Sequence, residues 1–264
     1  MTNPGAAMSH LDRRATLLLA AFLVGLAALA WALTVKQALD MRGMVAGLGQ
    51  VGSRMPNDMA APLFMAIWLT MMVAMMFPTI APMVLAHHMV VAQRGEGLLQ
   101  TMAFVLGYLV VWTAIGLVPL AAFLAFHNLP IEAAESSWMP IVAGGVLVGA
   151  GLYQFTPLKG VCLKACRTPL SFILTHDFGS GAPGAFRAGV VHGAYCLGCC
   201  WALMSVLLVM GLMNLVWMAA LSLVFLAEKN WRRGPLLSKL AGSLVALLGA
   251  AVILHPALLS TLAG

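Results

Sequence analysis

The sequence predicts an all-α fold: a polytopic integral membrane helix bundle of about seven transmembrane helices, one domain over residues 1–264. Three observations predict it. Hydrophobic residues make up 62% of the chain and charged ones 8%, where soluble domains run near about 45–50% and about 25%. Apolar stretches close to the roughly 20 residues that a bilayer core of about 30 Å requires recur seven times. The Lys and Arg residues also collect in alternate connecting segments, as the loops on one side of a membrane do. The net charge of +6 is dilute, and no basic cluster interleaves with aromatics, which excludes a nucleic-acid partner. The expected partners are the lipid bilayer and membrane-protein subunits.

The first stretch, Ala15–Val35, follows Arg13-Arg14 and leaves two readings open. It is either a retained helix or an export signal cleaved near Ala30-Trp31-Ala32, which would leave six helices. A run of about 20 residues exceeds the usual signal core of about 7–15, which favours retention. The second, Met59–Ala86, contains Pro78 and Pro82, and each removes a backbone donor, so a bend is expected there. The third and fourth, Leu98–Phe126 and Met139–Phe155, are interrupted only by weakly polar residues such as Gln100, Thr113 and Gln154, which suit bonds to neighbouring helices or to their own backbone. The fifth, Val190–Gly211, runs directly into a short sixth, Leu212–Ala227, and the seventh is Leu236–His255. No Asp or Glu falls inside any of them, which counts against a proton relay. Glu228, at the end of the sixth beside Lys229, reads as an interface anchor or a local ion pair. No repeat and no low-complexity linker divides the chain.

Orientation follows from the charges. With the N-terminus cytoplasmic, Lys36, Arg42 and Arg54 lie outside and the other eleven of the 14 basic residues lie inside. The positive-inside rule therefore orients the N-terminus to the cytoplasm and the C-terminus to the exterior, and the expected location is the cell inner (plasma) membrane.

The chemistry concentrates in His192-Gly-Ala-Tyr-Cys196-Leu-Gly-Cys199-Cys200-Trp201. At 100° per residue, Cys196 lies about 40° from His192 and Cys199 about 20° to the other side. One narrow helix face thus carries all three, with Cys200 at its flank. Charge places this group near the cytoplasmic mouth of the fifth span. The preceding loop holds Cys162 and Cys166, an i, i+4 pair suited to one face of a short helix. Three ligands on one face form half a shell, and a trigonal or tetrahedral ion needs a further donor, supplied by Cys200 or by one of Cys162 and Cys166. Lone membrane cysteines are usually small apolar packers. Three cysteines within five positions, one turn after a histidine, point instead to metal binding or to thiol redox chemistry.

Met65, Met72, Met76 and Met83 fall within about 40° of one face of the second span. Thioethers suit copper(I), although Met also serves as an adaptable core filler. The stripe tilts the expected cofactor, a transition metal ion, toward copper(I) over zinc. His87-His88 and His176-Asp177 share the cytoplasmic side with the cysteines, as further ligands or interfacial groups. His127 and His255 fall on the opposite face and read as structural.

Tyr153-Gln-Phe-Thr-Pro157-Leu-Lys159-x-x-Cys162-x-x-x-Cys166, taken with the His192–Trp201 motif, resembles a bacterial family of unknown function described as predicted metal-binding integral membrane proteins. Ala74-Met75-Met76-x-Pro78, Met213-Asn214 and Glu228-Lys229 carry the same resemblance. It implies a metal-binding membrane protein with Cys162, Cys166, His192, Cys196, Cys199 and Cys200 as ligands, and it implies no reaction. Three readings remain. The first is a membrane protein that handles or delivers copper or zinc through this Cys/His cluster. The second is a membrane oxidoreductase working through a dithiol or a metal redox centre, and the third is a non-catalytic subunit of a larger membrane complex. Walker, dinucleotide and nucleophile-elbow patterns are missing, which excludes a nucleotide enzyme.

Overall fold

The structure, a computed structural model, describes residues 4–40, 60–126, 138–176, 178–211 and 214–258. The described residues form nine helices and no strand: α1 (Pro4–Asp40), α2 (Ala60–Gln93), α3 (Leu98–Phe126), α4 (Met139–Tyr153), α5 (Pro157–Arg167), α6 (Pro169–Thr175), α7 (Gly181–Met210), α8 (Leu215–Asn230) and α9 (Gly234–Leu254). The all-α fold expected from the composition is the one observed. By length and composition, α1, α2, α3, α7 and α9 are each sufficient to cross a membrane. Helices α4 and α5 together make a sixth such segment, bent by 63° where they meet.

Among the described residues, five helices, or six segments with the bent pair, are thus long and apolar enough, where about seven were expected. At 16 residues, α8 is only about 24 Å long, short of a bilayer core of about 30 Å. The loop expected after the fourth span contains α5 and α6 instead. Helix α7 also starts at Gly181, well before Val190, so Cys196 lies in its middle and not at its mouth. Fifteen residues separate it from Gly181, a rise of about 22 Å. Gly211 ends α7 in a left-handed conformation, φ 101°, that glycine adopts without a Cβ penalty. Helix α2 remains helical through Pro78 and Pro82 without interruption.

Helix α3 lies along α7, α4 along α9 and α1 along α2. The α3–α7 contact is close because both sides are stripped of side chains where they cross. A Cβ on Gly107 would collide with the Phe186 carbonyl, and one on Gly189 with the Phe104 carbonyl. Such small-residue crossings let two backbones touch, which is how apolar helices associate where lipid removes the hydrophobic driving force. The core formed there is built from Phe104, Tyr108 and Trp112 of α3 and the buried face of α7. Leucines at 17, 18, 244 and 247 are exposed along α1 and α9, an apolar outer surface of the kind that faces lipid.

Candidate metal centre

Helix α5 exists for local reasons. Thr156 accepts the Lys159 backbone N–H, Pro157 occupies the first turn, and Lys164 and Arg167 complement the last turn. Its Lys159, Cys162, Leu163 and Cys166 follow i, i+3, i+4, i+7 spacing, so they share one face. The first three are buried and Cys166 is half-buried. That face lies against α7. Gly198 makes the approach possible, because a Cβ there would stand 2.6 Å from the Cys162 Sγ. Across the break, the Tyr153 hydroxyl donates to the Gly198 carbonyl at 2.6 Å and ties the end of α4 to the same turn of α7.

This docking brings three sulfurs together. The Sγ atoms of Cys166, Cys196 and Cys199 all lie within 4.8 Å of one another, with Cys166 and Cys199 at 3.8 Å. Cys196 and Cys199 are fully buried. All five cysteines are free thiols. A metal bonded to three sulfurs at about 2.3 Å would hold them about 4 Å apart. The donor set fits a soft ion in both spacing and chemistry.

A buried polar network surrounds the sulfurs. The Lys229 Nζ lies 3.2 Å from the Cys196 Sγ, 3.0 Å from the Thr79 hydroxyl and 3.9 Å from the Met76 Sδ. None of these partners is a carboxylate, so the ammonium supplies positive charge directly to the sulfur cluster. Tyr108 places its hydroxyl 3.2 Å from the same Sγ. Lys159 pairs with Glu228 at 2.7 Å and also donates to the Cys199 carbonyl. Arg167 donates to the Glu228 carbonyl, fixing the last turn of α5 against α8. Charges buried this deeply persist only when paired and hydrogen-bonded.

The other expected ligands take different positions. Cys200 donates to the Cys196 carbonyl at 3.0 Å, while Cys162 faces Gly198; neither belongs to the three-sulfur group. His192 is buried one turn before Cys196, with its ring within 6.0 Å of Phe104, Tyr108 and Phe172 and its Nδ1 unbonded. Met72, Met76 and Met83 are buried in the core, and Met65 lies toward a smaller apolar cluster with Phe64 and Leu120. His255 is exposed. His127 and Asp177 lie outside the described residues. Glu228, expected to anchor at an interface or to pair locally beside Lys229, is instead buried and bonded to Lys159, 69 residues away.

Residues 65–252 match a family described as PpoB2, copper chaperone. The chain belongs to the PpoB2 copper chaperone family. The matched stretch begins inside α2 and ends inside α9, so this copper chaperone family covers every helix that contributes to the centre. No curated protein and no solved structure matches the chain.

For a member of a copper chaperone family, the residues that sequence reasoning missed are Tyr108, Lys159, Glu228 and Lys229. The signal was present for three of them. In a chain with so few charges, Lys159 and the Glu228-Lys229 pair sit at the ends of apolar runs, where a membrane anchor and a buried pair look alike.

Proposed function

We propose that this protein holds copper(I) on Cys166, Cys196 and Cys199 within the inner membrane and passes it to a membrane-protein partner. The observation that carries the reading is the approach of three sulfurs from two separate helices to within 4.8 Å of one another. Family membership supports copper as the cargo. The donor set supports it as well: thiolates select copper(I), whereas structural zinc takes four ligands. Lys229 offsets part of the negative charge that three thiolates and a monovalent ion would carry. Cys162 and Cys200 line the immediate surroundings, and His192 stands one turn away on the same helix.

The N-terminus is read as cytoplasmic and the C-terminus as external, on the distribution of Lys and Arg. Delivery to a partner follows from the ligand arrangement. Two sulfurs sit on α7 and one on α5, so an incoming thiol can replace the α5 ligand first.

Anaerobic elemental analysis of detergent-purified protein tests this directly. A single copper per chain is expected, lost with Cys166→Ser, Cys196→Ser or Cys199→Ser and retained with Cys200→Ser. Copper that survives Cys166→Ser would overturn the assignment of α5 as a ligand-bearing helix.

A further inference from the structure

The histidines are unused by the three-sulfur centre, and they are not scattered. A cavity of about 300 Å³ opens at the end of the bundle where α2 ends and α7 begins. Its wall includes His87 and Arg94 of the α2 end, Glu96, His176, Phe178 and Ala188. His87 is 3% exposed, and its buried Nδ1 has no hydrogen-bond partner. Leaving a buried ring nitrogen unbonded is costly, and such a group calls for an explanation. Its neighbour His88 is different: its Nδ1 lies 3.0 Å from the Thr101 hydroxyl.

His176 is prepared in another way. Its Nδ1 lies 2.9 Å from the Phe172 carbonyl, which can only accept. The nearby Thr175 hydroxyl already donates to the Ser171 carbonyl. The Nδ1 therefore carries the hydrogen, and in the neutral ring the Nε2 keeps its lone pair. A backbone carbonyl that fixes the tautomer in this manner is the usual outer partner of a metal-binding histidine.

From the cavity, metal-binding residue types recur inward along two helices. On α7, Ala188 lines the cavity wall, and His192 and Cys196 follow at i+4 and i+8, so all three share one face at steps of about 6 Å. His192, 1% exposed, also has an unbonded Nδ1. Two phenylalanines connect its ring with the cavity histidines. Phe104 lies 4.6 Å from His87 and 5.9 Å from His192; Phe172 lies 4.9 Å from His176 and 5.4 Å from His192. On α2, Met83, Thr79 and Met76 descend from His87 along the same face toward Lys229 and Cys196, and all three are buried.

We propose that this cavity is a receiving site for copper(I), held by His87 and His176, and that His192 is the intermediate ligand between it and the three sulfurs. The inference rests on the reading of Cys166, Cys196 and Cys199 as the copper centre. Direction comes from ligand softness: imidazole accepts copper, and thiolate holds copper(I) more strongly, so the ion moves inward. Ligands are exchanged one for another and the ion stays copper(I) throughout. No electron moves and no reductant is needed.

The test separates rate from end-point. Full-length protein is mixed anaerobically with the copper(I)–bicinchoninate complex, and loss of the complex's colour is followed over time. His87→Phe combined with His176→Gln should slow loading by about tenfold or more, the scale on which disturbing a metal ligand or its outer partner acts, with the final copper content unchanged. His192→Phe should slow it likewise, and His88→Phe should not. A double variant that loads at the wild-type rate, with an end-point that still depends on the cysteines, overturns the histidine route alone. An end-point indifferent to the cysteines overturns the three-sulfur reading beneath it. Should the double variant not fold, X-ray absorption of the Cys196→Ser/Cys199→Ser protein, purified without copper and then given copper(I) anaerobically, decides. Copper with nitrogen neighbours, lost on adding His176→Gln, is expected; a shell without nitrogen would overturn the proposal.

Discussion

Replacing Lys159 with methionine removes one half of a buried ion pair and leaves the other half where it is. The Lys159 and Glu228 side chains are 2% and 1% exposed, and their charged atoms meet at 2.7 Å. The second oxygen of Glu228 has no partner, so nothing else on the carboxylate compensates the loss. Breaking such a pair from one side costs about 3–5 kcal/mol, because a charge is stranded in a low-dielectric interior. The bond from Lys159 to the Cys199 carbonyl disappears as well, which adds about 1 kcal/mol. Against a total stability of about 5–15 kcal/mol, the loss is large. Lys159→Met/Glu228→Leu removes both charges and fills similar space, which is commonly neutral or stabilising. The double variant should therefore be more stable than either single one. Denaturant unfolding of the detergent-solubilised protein, followed by near-ultraviolet circular dichroism, gives the four corners of this cycle. A cost for Lys159→Met below about 1 kcal/mol, the level of an exposed pair, or additive single effects, would refute the reasoning.

Other expectations bear on the centre itself. Gly198→Ala places a Cβ 2.6 Å from the Cys162 Sγ, so either that side chain turns away or α5 shifts from α7 and carries Cys166 with it; where α5 shifts, chelator competition should show copper affinity reduced by about tenfold or more. Unchanged affinity in Gly198→Leu, whose larger side chain a turn of Cys162 alone does not accommodate, would mean that the sulfur cluster does not depend on this contact. The Cys166 and Cys199 sulfurs at 3.8 Å are one small movement from the disulfide bond length of about 2.05 Å. A mild oxidant should therefore link these two residues in peptide maps and eliminate copper binding in proportion, with full recovery on reduction. His255→Ala, at an exposed position, should change stability by less than about 0.5 kcal/mol and leave copper content untouched.

Much of this was legible in the chain because it depends on local repetition. Apolar run length gave the helices, and the i, i+3, i+4 arithmetic correctly placed Cys196 and Cys199 on one face and Cys162 and Cys166 on one short helix. What local spacing could not convey was which neighbour each face meets. His192 shares the helix face of Cys196, yet it lies one turn away, about 6 Å along the axis, and there Phe104, Tyr108 and Phe172 surround it. Those aromatics come from two other helices, and no periodicity announces them. The same limit hid the partner of Glu228: the residue next to it in sequence, Lys229, turns toward Cys196, while the distant Lys159 takes the carboxylate. The sixth expected stretch was already the short one, and its helix α8 has 16 residues, shorter than the helices sufficient to cross a membrane.

The bend between α4 and α5 puts one candidate sulfur on a different helix from the other two. Cys196 and Cys199 ride on a single rigid rod, so the distance between them is as constant as the helix. Cys166 belongs to a separate helix that meets α4 at the 63° bend and is seated by Arg167 on the Glu228 carbonyl and by Lys159 on the Glu228 carboxylate and the Cys199 carbonyl. Were α5 to move away by about one bond length, a bound soft ion would lose one of three sulfurs and keep the two on α7, with no helix unwound. The affinity of such a site for a soft ion would then depend on the polar contacts that seat α5, the buried Lys159–Glu228 pair among them.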